Sequence, residues 1–246
     1  MSMRCVVIIP ARYGSTRLPG KPLVRIQQKP LIQWVYERAA QIQGVDAVMV
    51  ATDDTRIAEA VQAFGGQAVL TSNTFASGTE RVAWVARELE ADVVVNLQGD
   101  EPLVDVNGVV QAIETVRGDT DAPVATLGCP LREEALWRDP NVVKVVTDRH
   151  NRALLFSRSP LPFFRDESFY PLKGVYQHVG VYVFQADFLQ TYVSLPPSPL
   201  ETVEKLEQLR ILWHGYAIQV IPVASCAPGV DTPEDVQKME KLLTKQ

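Results

Sequence analysis

Residues 8–23 read IIPARYGSTRLPGKPL and carry three cations, Arg12, Arg17 and Lys21, in a chain where no acid precedes Glu37. The chain as a whole is acidic, with 29 Asp and Glu against 24 Lys and Arg, so the positive start is local. A glycine-containing loop after an apolar strand suits phosphate. Backbone N–H groups approach an anion closely where no Cβ intervenes, and the cations neutralise it. Two familiar phosphate loops do not fit. The pattern G-x-G-x-x-G is absent. The P-loop pattern fails because Gly14 to Gly20 spans one residue too many, and Pro22 stands where a Ser or Thr would hold magnesium. The competing reading is a solvated strand–helix connection with incidental charge.

Other residues that could do chemistry stand far from this loop. Asp100, in NLQGDEP, follows an apolar run, and Gly99 before it allows a tight turn. The alternative for Asp100 is a turn aspartate bonding its own backbone. Asp231, in GVDTPEDV, reads from its neighbours first as the cap or first-turn acid of a closing helix. Ser77 to Glu80, SGTE, is a capping box, which explains Ser77 and Glu80 but not Arg81. His178 and Tyr182 are four apart on one alternating stretch, so they share a strand face. Taken alone, His178 reads as a satisfied core histidine.

The elements that must position these residues alternate through the first half. CVVIIPA, DAVMVAT, QAVLT and DVVVNL read as strands, the first two as strands buried on both faces. PLIQWVYERAAQIQG, DDTRIAEAVQAFGG and SGTERVAWVARELE read as helices, with Pro30, Asp54 and Ser77 at their starts. This rhythm implies a mostly parallel sheet with helices on both faces, and ligands beyond the carboxyl ends of its strands. After about residue 120 come strands in APVATLGCPL, NVVKVVTD, RALLFS, GVYQHVGVYVF and YAIQVIPV, a helix over SPLETVEKLEQLRILWHG, and a closing helix over TPEDVQKMEKLLTKQ. The expected fold class is α/β, a Rossmann-like three-layer α/β/α arrangement with a mostly parallel, mixed central sheet. Residues 1–246 form one domain, and residues 129–185 add a smaller lobe.

Composition excludes several classes. A net charge of −5 lacks the basic excess of a protein that coats nucleic acid. The early apolar run before Pro10 is too short for a leader or a membrane helix. Cys5, Cys129 and Cys226 lie far apart, make no metal pattern and, being odd in number, fit no disulfide framework. The expectation is a soluble protein of the reducing cytoplasm, with no nucleic-acid or membrane partner.

The string IIPARYGSTRLPGKPL resembles the signature of the sugar nucleotidylyltransferases, and in the form PARYGSTRLPGKPL their cytidylyltransferase branch. VATDD, SGTER, VNLQGDEP, NVVKVV, FSR, QHVGVY, SPLETVEKLEQLR and GVDTPEDV agree with it in order along the chain. The resemblance implies transfer of CMP from CTP to 3-deoxy-D-manno-octulosonate (KDO) with release of pyrophosphate, for lipopolysaccharide biosynthesis, by a homodimer. It implies that Ala11, Arg12, Ser15, Lys21, Ser77, Arg81 and Gln98 bind the nucleotide, Gln98 on the cytosine side. Arg12, Lys21, Asp100 and Asp231 become the catalytic set. Asp100 and Asp231 hold Mg²⁺, which leaves the cap of the closing helix to Thr232. Arg158, Arg165, His178, Tyr182, Glu207 and Gln208 surround the sugar acid. The chain departs from the pattern at Gln177, where the family has Arg. The alternatives are the same chemistry on 8-amino-KDO or a sialic acid, or a non-catalytic nucleotide-binding protein on this fold. A NAD(P) oxidoreductase is disfavoured by the missing glycine pattern.

Overall fold

The run CVVIIPA forms strand β1 (Cys5–Ala11), with Cys5 to Ile9 wholly buried, in a computed structural model that describes residues 3–15, 17–118, 121–165 and 168–244. The chain forms two compact units, one of Met1–Val106 with Ala227–Gln246 and one of Asn107–Cys226. The lobe expected at residues 129–185 falls inside the second.

The first unit holds the alternating half. After β1 come a two-residue pair, β2 (Arg25–Ile26) and β3 (Lys29–Pro30), then helix α1 (Leu31–Ala39) and β4 (Ala47–Thr52). Helix α2 (Thr55–Ala63), β5 (Ala68–Leu70), α3 (Gly78–Glu88) and β6 (Val93–Leu97) follow. The strands lie in the order β6-β1-β4-β5, all parallel, with Ile8 paired to both Met49 and Asn96. Right-handed crossovers place α1 and α2 on one face and α3, which carries the chain back from β5 to β6, on the other. Chain direction across the sheet therefore reverses between β1 and β6. The crevice beyond their carboxyl ends is where such sheets bind ligands.

The second unit opens with helix α4 (Val106–Gly118) and continues with β7 (Val124–Pro130), α5 (Glu134–Arg138), β8 (Lys144–Thr147), β9 (Ala153–Ser157) and β10 (Val175–Gln185). Then come α6 (Ala186–Ser194), α7 (Pro199–Glu204), α8 (Leu209–Trp213) and β11 (Ile218–Pro222). Here the sheet is mixed. β7 pairs β11 in parallel and β10 antiparallel, while β8 pairs β10 and β9 antiparallel. A bridge between Arg152 and Gln219 ties the start of β9 back to β11. The aromatic loop PLPFF is partly packed. Trp137 donates to the Leu161 carbonyl at 3.0 Å and meets Phe164 edge-on at 5.5 Å, while Phe163 is 82% exposed. The closing helix α9 (Pro233–Leu243) belongs to the first unit. Lys245 and Gln246, at the end of the helix expected there, lie outside the described residues.

Two expectations are corrected. The single helix expected over residues 198–215 is two short ones, because Lys205 adopts a left-handed φ of 55° and ends α7. Arg210 then folds back as a fork on Glu201, at 2.5 and 2.9 Å. A continuous helix would put residues nine apart roughly 13 Å from one another along its axis, so the fork needs the break. The cysteines are not all free either. Cys129, near the end of β7, and Cys226, just past β11, form a disulfide with Cα atoms 5.9 Å apart. Parallel neighbours that end together bring the two sulfurs to one place, which a sequence separation of 97 conceals. Cys5 is the buried free cysteine that was expected.

Lys144 explains how the second unit fixes its loops. The side chain is fully buried, and its ammonium donates to the carbonyls of Asp139, Val142 and Arg158 at 2.9, 2.6 and 2.6 Å. Burial lowers its pKa, against the pull of Asp139 and Glu204. Removing the ammonium strands three acceptors, so Lys144→Met is expected to destabilise the protein by about 2–4 kcal/mol. Urea unfolding followed by circular dichroism measures this, and a loss below ~0.5 kcal/mol would show that the carbonyls find other partners.

Candidate functional site

The loop after β1 is shaped by its own backbone. The Tyr13 carbonyl accepts from the N–H groups of Ser15 and Gly20, at 3.0 and 3.1 Å. Gly20 has a φ of +68°, and a Cβ there would lie 3.2 Å from the Tyr13 ring, so this position favours glycine twice over. The Arg56 guanidinium lies 3.4 Å over the same ring. The chain then enters a single 3₁₀ turn at Lys21–Leu23. Ala11 is buried at the strand end, and Ser15 is half-buried. Arg12 is exposed and makes no ion pair among the described residues. Thr16 lies outside them.

Lys21 is the centre of the site. Its ammonium donates to Asp100 at 2.6 Å and to Asp231 at 3.0 Å, across 79 and 210 residues of sequence. Arg17, more exposed, reaches the other oxygen of Asp231 at 3.0 Å. Burial disfavours the Lys21 charge, but the pull of Asp100 and then of Asp231 exceeds that cost, and the pKa lies above the ordinary lysine value. The loop after β6 approaches β1 closely. A Cβ on Gly99 would sit 3.3 Å from the Pro10 carbonyl, so Gly99 serves close packing rather than a left-handed turn. On the third segment the Val230 N–H donates to the Asp100 carbonyl at 3.0 Å. Thr232, not Asp231, caps α9 in a capping box with Asp235, so the Asp231 carboxylate stays on Lys21.

These carboxylates converge on one cation, and the donor set is all oxygen. Among the described residues no group of three or more His, Cys, Asp or Glu could hold a metal alone. A two-carboxylate set suits a hard divalent ion that keeps water and takes phosphate oxygens as its other ligands.

The remaining nucleotide candidates are placed as follows. Ser77 caps α3 by accepting from the Glu80 N–H at 3.1 Å. The Glu80 carboxylate returns to the N–H of Ala76, at 2.9 Å, rather than to that of Ser77, so the expected capping box closes one residue early. Arg81 is 5% exposed and its guanidinium is committed inward, to Asp53 at 2.8 Å and to the Thr71 hydroxyl. Gln98, just past β6, donates to the Asn96 side chain at 3.2 Å. Asp53 and Asn96 were not anticipated. Asn96 had a signal, a polar residue inside the apolar run VVVNL.

The sugar candidates lie on the second unit. His178 and Tyr182 do share a face of β10, with ring centroids 5.3 Å apart, and Phe156 meets His178 edge-on at 5.2 Å. The Thr126 hydroxyl donates to the Val181 carbonyl at 2.6 Å, so it accepts from His178 Nε2 at 2.9 Å, which puts the ring proton on Nε2. Burial lowers the His178 pKa to about 3 and keeps the imidazole neutral. Tyr182 is raised well above its ordinary value, first by burial and then by the charge of Glu207. The Glu207 carbonyl accepts from Tyr192, and Gln208 is buried. Arg158 is turned to backbone, donating to the carbonyls of Glu204 and Pro140 at 2.8 and 3.0 Å, while Arg165 is exposed. The Glu204 carboxylate, another unanticipated residue, accepts from the Ser157 hydroxyl and the Arg158 N–H at 2.5 and 2.9 Å.

Comparison with known proteins bears on this geometry. Residues 6–219 match the family described as cytidylyltransferase. A 3-deoxy-manno-octulosonate cytidylyltransferase of Syntrophotalea carbinolica is 49% identical, over 97% of this chain and 98% of its own. An 8-amino-3,8-dideoxy-manno-octulosonate cytidylyltransferase of Shewanella pealeana is 48% identical, over 98% and 99%. A solved structure of CMP:2-keto-3-deoxy-manno-octonic acid synthetase complexed with CTP superposes with a TM-score of 0.92 at 47% identity, covering 98% of this chain and 99% of that one. Likeness at this level over whole chains carries the activity class as well as the fold, and the chain belongs to the cytidylyltransferase family.

Proposed function

We propose that this chain is a 3-deoxy-manno-octulosonate cytidylyltransferase, which joins CMP from CTP to the sugar acid and releases pyrophosphate. One observation carries the reading above others. In a chain that matches enzymes of this activity end to end, Lys21, Asp100 and Asp231 converge from three segments beside the β1–β6 switch point.

In the proposed reaction the anomeric hydroxyl of the sugar acid gives up its proton to solvent, with no dedicated protein base, and its oxygen attacks the α-phosphorus of CTP. A new P–O bond forms, the bond to the β-phosphate breaks, and pyrophosphate leaves. Arg12 and Lys21 bind the leaving phosphates and stabilise the charge that builds on them. Ala11, Ser15 and Ser77 line the nucleotide. Arg81 acts at one remove, because its guanidinium holds Asp53 and Thr71 in place. Asp100 and Asp231 hold Mg²⁺, which when bound neutralises charge between two anionic reactants. On the second unit a neutral His178 offers Nδ1 as an acceptor to a sugar hydroxyl, and Tyr182, Glu207 and Gln208 supply further hydrogen bonds. Arg165, and Arg158 through the Nη2 that its bonds to the Glu204 and Pro140 carbonyls do not use, answer the carboxylate of the sugar acid.

The 8-amino sugar is the second reading, favoured by a relative of that printed activity at nearly the same identity. We also infer a homodimer, supported by apolar side chains exposed on the second unit, Leu154 at 61% and Val203 at 81%. The compartment we infer is the cytoplasm, where nucleoside triphosphates are made; the Cys129–Cys226 disulfide lends that inference no support, since such bonds are rare there. Among the described residues no helix is long and apolar enough to cross a membrane.

Three outcomes test these readings. Pyrophosphate release from CTP and Mg²⁺ is expected with KDO, and weaker or absent with 8-amino-KDO and sialic acid; preference for either of the latter would transfer the assignment to that sugar. Chelation by EDTA should abolish turnover, and Asp100→Asn and Asp231→Asn should each lower kcat by about 100-fold or more in a protein that still folds by circular dichroism, with a lower melting temperature because Lys21 loses a charge partner. Near-normal turnover in either variant removes that carboxylate from the metal site. Light scattering should give twice the chain mass for the native protein and the single mass for a Leu154→Asp, Val203→Asp double variant. A native protein of single mass refutes the dimer.

A further inference from the structure

Asp100 and Asp231 bring two negative charges together, and the chain supplies two positive ones. The Lys21 ammonium donates to Asp100 Oδ2 at 2.6 Å and to Asp231 Oδ1 at 3.0 Å. Arg17 Nη2 donates to the second oxygen of Asp231, Oδ2, at 3.0 Å. These four charges sum to zero, and both oxygens of Asp231 already face a cation. The two cations do not hold equally. The Arg17 side chain is 56% exposed and that of Lys21 18%, so water screens the arginine far more. Lys21 is therefore the charge with which a metal ion must compete. Its backbone is pinned independently of its side chain. The Lys21 N–H donates to the Leu18 carbonyl at 3.0 Å, and the Lys21 carbonyl accepts from the Val24 N–H at 3.1 Å. The ammonium, on a flexible four-carbon stem, can change partners while the turn stays in place.

We propose that Lys21 guards the metal site as well as binding phosphate: in the free protein its ammonium holds divalent ions off Asp100 and Asp231, and the triphosphate opens the site by drawing that ammonium away. This rests on the reading that the two carboxylates hold Mg²⁺, and adds to it the order in which the charges arrive. A divalent ion that enters the free protein meets a cluster already balanced. It must expel the ammonium or stand beside it, and like charges at that range repel. A triphosphate without metal fares no better. By taking Lys21 it leaves two carboxylates facing one another and facing its own negative charge. Arriving together, the two ligands avoid both costs. The ammonium passes to phosphate oxygens and the divalent ion restores positive charge at the carboxylates. By linkage, each ligand then raises the affinity for the other by the same factor.

Mn²⁺, standing in for Mg²⁺ and followed by the paramagnetic resonance of the unbound ion, reads this on the full chain without nucleotide or sugar. The native protein should bind Mn²⁺ weakly. Lys21→Met, which keeps the stem and removes the charge, should bind it about tenfold more tightly or better. Adding Asp100→Asn to Lys21→Met should cancel the gain. A lysine that only held the loops together would, once removed, loosen the carboxylates and lower the affinity. Lower or equal affinity in Lys21→Met, or no binding to either protein, therefore overturns the proposal. If an equal affinity still falls with Asp100→Asn, the carboxylates are metal ligands and only the guarding role is lost. A gain that survives both Asp100→Asn and Asp231→Asn puts the ion elsewhere and removes the reading beneath the proposal. Circular dichroism checks the fold of each variant. Should Lys21→Met fail to fold, Lys21→Gln, which retains an N–H donor without the charge, decides by the same titration.

Discussion

One cation between two carboxylates organises the first unit. Lys21, Asp100 and Asp231 belong to segments that are remote in sequence; the pairing of β1 with β6 and the backbone bond from Val230 to Asp100 bring those segments together, and the charges join their side chains. Two carboxylates facing one another without a cation repel, and an ammonium withdrawn from water without an anion is poorly solvated. The three groups together relieve both costs, and the raised pKa of Lys21 is the sign that attraction exceeds burial. The constraint reaches outward from there. Gly20 and the Tyr13 carbonyl set the turn that delivers Lys21. Gly99 allows the close approach of the next loop to Pro10. Thr232 takes over the capping of α9, which leaves Asp231 its charge partner. Any ligand that draws Lys21 away must leave another positive charge with the two carboxylates, and this favours the arrival of a phosphate together with a divalent ion.

The parallel half was legible because its strands are short apolar runs and its helices carry their own start signals. Asp54 and Ser77 cap as read, and β1, β4, β5 and β6 all form. The second half was legible in strands but not in its breaks. The pattern of residues 198–215 is amphipathic throughout, and what divides it is a tertiary contact, the Arg210 fork on Glu201. The stretch that forms helix α4 receives no element in the sequence reading, although its buried positions, Val109, Ala112, Ile113 and Val116, follow helical spacing. The Cys129–Cys226 pair depends on two strands ending side by side, information that no local window contains.

Of the candidate site, the residues that formed recognisable strings were found, and those acting through distant partners were not. Asp53, Glu204 and Lys144 each work by bonding to a segment far away or to backbone carbonyls, so their types alone say little. Arg81 shows the converse. Its position in SGTER marks it for the ligand, yet its guanidinium is spent on Asp53 and Thr71. A motif records that a residue matters at a position, not whether it touches a ligand or holds what does.

The buried polar side chains carry this argument further. A core of aliphatic residues fixes the fold with tolerance, since volumes can be exchanged at modest cost. A buried amide or ammonium has no such tolerance, because each donor and acceptor must meet a partner in one direction. In the first unit Asn96 and Arg81 are buried close to the loops that carry the candidate site, and in the second Lys144 and Gln208 are buried within or beside the stretches that carry Arg158 and Glu207. Directional groups placed there convert a permissive scaffold into one with set side-chain orientations. The stability they cost is spent where orientation, rather than packing, decides what the chain can bind.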